Sequence, residues 1–268
     1  MPRSVFSVWV GGQPTALALA SMRSFAALGH PYTLYAYEPL EGLPPGVTLA
    51  DAGQILPRRA VSYLLERRAF ALVSDLFRYA RLRTGGLWVD TDVIALRAFD
   101  FSEDELICGW QDDVLINVAV LGAPAGHPVI TAIHRRSTTL RASREWITSD
   151  WSRRRRFQHA LGVVRHGRAF SLTEAPWGTF GPDLLTKIAS ELGVTTETRA
   201  REVFYPIRFQ DIDLLLESGQ EADRAITSAT YSIHLWNEVL RRRKIVEPPP
   251  GSLLERLLEG SHAHVSAR

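Results

Sequence analysis

Asp90 and Asp92 stand two residues apart inside an otherwise apolar run, Leu87 to Ala95, of a 268-residue chain. Two carboxylates a few ångströms apart repel, and holding them beside an apolar sheet is costly unless a metal or a proton neutralises them. All-oxygen ligation suits Mg²⁺ or Mn²⁺, and those ions in turn suit a diphosphate. Upstream, Asp75 and Arg78 are three apart, which on a helix sets a second acid and a guanidinium on one face. Each pair also has a plain competing reading: an Asp pair caps strands at the solvent, and an Asp and Arg three apart form surface ion pairs.

Chemistry at these positions requires elements to hold them. From Tyr63 to Leu82 the apolar residues Leu65, Ala69, Leu72, Leu76, Tyr79 and Ala80 recur at three- and four-residue steps, which predicts one helix packed by one face. Gly85-Gly86 then ends it, as a left-handed cap requires. Leu87 to Ala95 reads as a single strand whose alternation turns both carboxylates to one face. Ahead of this stretch, Ser4 to Val10 reads as a buried strand, Pro14 to Leu28 as a helix with Gly29 behind it, and Tyr32 to Tyr37 as a second strand. That rhythm implies a parallel sheet with right-handed crossovers. Ligands of such sheets sit at the carboxyl ends of the strands. Trp9 therefore becomes a candidate to stack on a nucleobase, with Gly11 and Gly12 letting the backbone approach, against the alternative of a core tryptophan.

Residues 38 to 57, rich in proline, read as a loop with one short strand at Val47 to Leu49. Leu106 to Trp110 and Val114 to Gly122 read as two further strands joined through Gln111-Asp112-Asp113, with Asn117 inside the second. A buried amide in a strand needs a partner. Asp112 and Asp113 serve equally as acceptor-binding groups or as a solvated turn. Pro128 to Trp146 reads as a basic helix, and Arg153, Arg154, Arg155 and Arg156 continue the basic character. Such a run is a solvated face, or else it meets an anionic membrane surface or a phosphate-bearing acceptor.

The ordered string S-D-x-x-R-Y-x-x-L-x-x-G-G-x-W-x-D-x-D, from Ser74 to Asp92, resembles the signature of glycosyltransferases with a sugar-binding D-x-D region, the group related to family 32 and to the α-1,4-galactosyl- and N-acetylglucosaminyltransferases. The resemblance implies a GT-A fold, an α/β architecture with a Rossmann-like mixed, mainly parallel sheet flanked by helices. It implies a nucleotide-sugar donor, probed first as a UDP-sugar, whose diphosphate is held by Mn²⁺ or Mg²⁺. Transfer would retain the anomeric configuration. On this reading Asp90 and Asp92 bind metal and ribose, with Asp92 the direct ligand, and Asp75 and Arg78 hold ribose or sugar hydroxyls. The start around Trp9 and Gly11 matches the family's W-x-G-G, and the asparagine-led strand favours Asn117 as a polar group of the sugar pocket. Asp92, Asn117 and Asp113 are thus the catalytic candidates.

The same resemblance reaches the C-terminal third. Residues 174 to 187, with Trp177 and Thr179 ahead of Gly181-Pro182, border the acceptor side, and Phe204 to Ile207 reads as a short strand. In YSIHLWNEVL, His234 and Trp236 are two apart and share a face of an extended segment. Neutral imidazole is an acceptable Mn²⁺ ligand and an indole N–H can donate to a β-phosphate oxygen. Relatives commonly complete the metal site with a C-terminal His or acid, so His234 is the third ligand and Trp236 a donor-binding residue. The competing reading has both fastening the core.

Composition agrees with one α/β domain over 1–268, with 245–268 a short tail after Pro248 to Pro250. Hydrophobic residues at 46% are enough for a large core. One cysteine, Cys108, makes no internal disulfide and reads as a small core residue. No stretch reaches the about 18 apolar residues of a membrane span, and the N-terminal run has no cleavage signature. The expected setting is cytoplasmic, with membrane contact only through the arginine run, and the expected acceptor a saccharide, lipid-linked or small molecule. A net charge of +2 without a binding motif argues against nucleic acid. VDTDVI also fits the nucleophile strand of haloacid-dehalogenase phosphohydrolases, but that fold sets its D-x-D near the chain start and needs a later lysine and acidic pair, whereas here the motif is late and the nearby acidic pair, Asp112-Asp113, comes too soon. A sugar-nucleotide-binding protein without catalysis is the remaining alternative.

Overall fold

A computed structural model describes residues 3–138, 157, 178–218 and 220–260. The arginine run, Trp177 and the second half of the expected basic helix lie outside the described residues. The central sheet has six strands in the order β3-β2-β1-β4-β7-β6. These are β1 (Val5–Trp9), β2 (Tyr32–Ala36), β3 (Val47–Asp51), β4 (Gly86–Val89), β6 (Ile107–Trp110) and β7 (Ile116–Ala123). Strands β3, β2, β1 and β4 run parallel, and β7 is antiparallel to both β4 and β6. This is the mixed, mainly parallel α/β sheet expected. The chain passes from β1 to β2 on one side and later to β4 on the other, so the carboxyl edge between β1 and β4 is a topological switch point.

Helix α1 (Ala16–Ala27) follows β1 and is capped by Thr15, whose hydroxyl accepts the Ala18 N–H. Its buried face, Ala18, Met22 and Phe25 among others, covers one side of the sheet. The opposite side is packed by α3 (Phe70–Leu82), α4 (Pro128–Thr138) and the helix Pro182–Glu191. Pro182 occupies the first helical turn after Gly181, where its missing N–H has no bond to lose. The helix Leu253–Glu259 buries Leu253, Leu254 and Leu257 against the α1 side, so one face of the last described helix belongs to the core. Cys108 is fully buried, and burial pushes its thiol up to about 11. Among the described residues no helix is long and apolar enough to cross a membrane.

Three expectations are corrected. The continuous helix over Tyr63 to Leu82 is two helices, α2 (Arg58–Glu66) and α3, broken at Arg67–Ala69. Arg68 takes φ 55, and the amides of Arg68 and Ala69 return to the carbonyls of Leu65 and Leu64, a left-handed cap formed without glycine. Likewise, Leu87 to Ala95 is not one strand. After β4 the chain turns through Asp90–Asp92, with Val93 N–H on the Asp90 carbonyl, and continues as β5 (Val93–Ala95) in a separate two-stranded sheet with β8 (Ser232–His234). Finally, the segment read as a strand at Phe204 to Ile207 is a one-turn helix, Arg201–Phe204, followed by a bend.

Candidate active site

The acids reach the carboxyl edge because two different structures grip the turn that carries them. On the sheet side, the Asp90 N–H donates to the Ala119 carbonyl of β7 at 2.7 Å. Beyond the turn, β5 is held by α1: Ser21 Oγ donates to the Val93 carbonyl at 2.6 Å, and the Ala95 N–H donates to Ser24 Oγ at 2.9 Å. The two carboxylates therefore come together through a turn rather than through strand alternation.

Antiparallel pairing of β5 with β8 sets Val93 opposite His234. His234 Nε2 lies 3.2 Å from Asp92 Oδ2, and ligand atoms of Asp90, Asp92 and His234 all fall within 4.8 Å of one another. Asp92 also takes the Leu235 N–H on its carbonyl at 2.8 Å and the Asn237 N–H on Oδ2 at 3.0 Å. Burial raises the Asp92 carboxyl, but the His234 charge and the hydrogen bonds outweigh it and hold the group below its ordinary range. For His234 burial acts downward and Asp92 outweighs it, leaving the imidazole raised. Two carboxylates and one imidazole converging from residues more than a hundred positions apart fit Mn²⁺ or Mg²⁺. The buried Nδ1 of His234 has no hydrogen-bond partner among the described residues, so nothing commits the ring away from ligation through Nε2.

Asp75 and Arg78 do share a face, as their spacing requires, but Arg78 is turned inward. Its guanidinium is 3% exposed and bridges Asp75 Oδ1 and Asp90 Oδ1, each at 2.7 Å. It also lies 4.7 Å from the Trp88 ring centroid, while Trp88 Nε1 donates to Asp90 at 2.6 Å. Arg78 is a strut that aims Asp90. Burial pushes Asp75 up to about 6, Arg78 offsetting that and Asp90 adding to it. The Asp75 carboxylate faces Gly181, where a Cβ would come 3.8 Å from its oxygens. Thr179, two residues earlier, is buried, and its hydroxyl has no hydrogen-bond partner among the described residues.

Trp9 closes β1 beside an open cavity of about 330 Å³. Gly11, Tyr37, Glu38, Arg58 and Phe70 line it too. Gly11 has φ +89, and an added Cβ would lie 2.6 Å from the Phe70 ring, so only glycine lets this floor form. The Trp9 indole N–H donates to the Gly12 carbonyl at 3.0 Å, which ties the ring to the loop, and the half-buried residue lines the cavity. The break between α2 and α3 carries Phe70 to this wall. Sequence reasoning missed Phe70 and the Arg58–Glu38 pair, since the bridging ends lie twenty residues apart with no periodic relation.

Three assigned residues are placed differently. Asn117 is buried, its carbonyl accepting the Ala119 N–H at 2.8 Å and its amide donating to Gln111 at 3.0 Å, so it braces β7 beside the acid turn. Asp113 is exposed at the β6–β7 turn and is not drawn into the acid cluster; Asp112 ties that turn by accepting the Val114 and Leu115 amides. Trp236 is buried, and its indole N–H donates to the Ile207 carbonyl at 2.9 Å, which takes the donor expected for a phosphate oxygen.

Residues 171–265, which carry His234 and Trp236, match the family described as the alpha 1,4-glycosyltransferase conserved region. Over these residues the chain is similar to the α-1,4-glycosyltransferases. Lactosylceramide 4-alpha-galactosyltransferase of Homo sapiens is 26% identical over 204 residues, covering 71% of this chain and 47% of that protein. The protein of the same name from Pan troglodytes is 27% identical over 206 residues, with the same 71% and 47%. The chain thus spans about half the length of the curated relatives it matches. Among solved structures, PaToxG Glycosyltransferase aligns at 12% identity with a TM-score of 0.48, over 71% of this chain and 68% of that one.

Proposed function

We propose that this α-1,4-glycosyltransferase relative is a metal-dependent hexosyltransferase that moves a hexose or N-acetylhexosamine from a UDP-sugar to an acceptor hydroxyl with retention. The observation that carries the reading is the convergence of Asp90, Asp92 and His234 at the sheet's switch point, on the strand edge that also ends in Trp9. Asp90, Asp92 and His234 would hold Mn²⁺ or Mg²⁺, which when bound neutralises charge accumulating on the departing diphosphate. Trp9 stacks the base, and the cavity behind Gly11 receives the nucleoside. Asp75, at the rim of the acid cluster, accepts from a donor-sugar hydroxyl on the oxygen that Arg78 does not use. The glycosyl C1–oxygen bond breaks toward the diphosphate while the acceptor oxygen attacks from the same face, its proton passing to the departing phosphate oxygen. The named relatives transfer galactose to lactosylceramide, which supports a galactose-type donor and a glycolipid acceptor.

A thermal-shift comparison of UDP, GDP and dTDP, each with and without Mn²⁺, tests this. UDP at about a hundred times its Kd contributes about 2.7 kcal/mol, or about 5–10 °C for a chain of this size, and only with metal present. No shift for any nucleotide in the presence of Mn²⁺ refutes the reading.

A further inference from the structure

A ligating histidine ordinarily has its second ring nitrogen hydrogen-bonded, and that bond sets the angle of the ring. His234 lacks this: Nδ1 is buried and unpartnered among the described residues. What meets the imidazole instead is aromatic. The Trp236 ring lies across it with centroids 4.0 Å apart and planes inclined at 43°. Tyr205 closes from another side at 6.0 Å, edge-on at 63°.

Trp236 is itself held through its backbone, its indole N–H and its ring. Its backbone is left-handed, φ 54 and ψ 47, a conformation bulky residues rarely adopt. The amides on either side, Leu235 and Asn237, both bond to Asp92, so the residue that faces His234 also pins this kink. The indole N–H is fixed by the Ile207 carbonyl. Phe209 then backs the indole at 5.9 Å and 66°, and is itself 38% exposed.

We propose that Trp236 is a positioning residue for His234, its ring face replacing the hydrogen bond that would otherwise orient the imidazole, with Phe209 as the outer support of the same stack. This inference rests on His234 being a metal ligand. It assigns Trp236 no contact with the donor.

The test is calorimetric titration of Mn²⁺ into the nucleotide-free full chain, paired with ¹⁵N spectra of the His234 ring. Trp236→Leu removes the aromatic face and weakens Mn²⁺ binding about tenfold or more. Trp236→Phe keeps a stacked ring without the N–H and restores binding toward wild type. Phe209→Ala, at an exposed position, weakens binding about two- to tenfold, the range an aromatic edge contact spans, with the melting temperature unchanged. Should Trp236→Leu fail to fold, Phe209→Ala and Trp236→Phe decide the matter. Wild-type Mn²⁺ affinity and unaltered ring shifts in Phe209→Ala and in whichever Trp236 variants fold overturn the proposal. Equal losses in Trp236→Phe and Trp236→Leu overturn it too, because the Ile207 bond rather than the stack would then matter. A wild-type chain that takes up no Mn²⁺ refutes the metal reading itself, a result distinct from both.

Discussion

Replacing Arg78 by methionine tests the strut beneath the acid turn. The guanidinium is almost fully buried and carries two 2.7 Å bridges, so its removal strands Asp75 and Asp90 together. Deleting one partner of a buried pair costs about 3–5 kcal/mol. The two carboxylates keep 18% and 26% of their side-chain surface, which relieves part of that, so the lower end, about 3 kcal/mol at neutral pH, is expected. For a chain of this size that is about 6–12 °C in Tm. The loss has a pH signature. Asp75 titrates near 6 in the folded protein against 3.8 as a free carboxyl. A raised acid means the folded state holds the proton longer, so stability falls as pH climbs from about 4 through about 6. Without Arg78 the offset disappears and Asp75 rises further. The deficit of Arg78→Met relative to wild type therefore shrinks on going from about pH 7.5 to about pH 5, where Asp75 is neutral. Urea unfolding at the two pH values measures it. A deficit below about 1 kcal/mol at both, or one that grows on acidification, refutes the strut.

Asp92→Asn keeps an acceptor for the Asn237 amide and the backbone carbonyl for Leu235, so at a pH above the raised His234 value, where the charge pair is already lost, Tm should move little while Mn²⁺ binding by calorimetry collapses; unimpaired binding removes Asp92 from the metal site. Trp9→Ala should weaken nucleotide binding by about 1–3 kcal/mol with the fold intact, and an unchanged Kd would return Trp9 to a packing role. Mn²⁺ affinity should rise with pH above 6.5, because the raised His234 must release its proton before ligating. In the metal-free protein the His234–Asp92 pair acts oppositely: its stabilisation is present below 6.5 and is lost as pH rises through the raised value. Titrations in buffers of different ionisation enthalpy count the released proton, and none released near pH 6.5 would remove His234 from the ligand set.

Local patterning carried the regular elements. The buried run of β1, the alternation of β2, the extent of α1 ahead of Gly29, the cap at Gly85 and the three-residue step between Asp75 and Arg78 are all properties of neighbours along the chain, and each appears where expected. The identity of the acids and of His234 was legible for the same reason, since D-x-D and H-x-W are short strings. Their mutual geometry was not. Asp90–Asp92 form a turn because Ala119 and the serines of α1 compete for the backbone on either side, and those partners lie tens of residues away.

What tertiary structure alone decided is which polar groups remain free to act. Arg78, Asn117 and Trp236 all have residue types suited to a ligand, and their sequence neighbourhoods say nothing against it. Each is committed by a partner that is not its immediate sequence neighbour: Asp90, Gln111 and Ile207 respectively. A buried hydrogen-bonding group must be satisfied, and whether protein or ligand satisfies it depends on what the fold brings within about 3 Å. Sequence therefore determined the chemistry available at this edge of the sheet, and packing determined which polar side chains are tied to protein partners and which are left facing the acid cluster and the cavity.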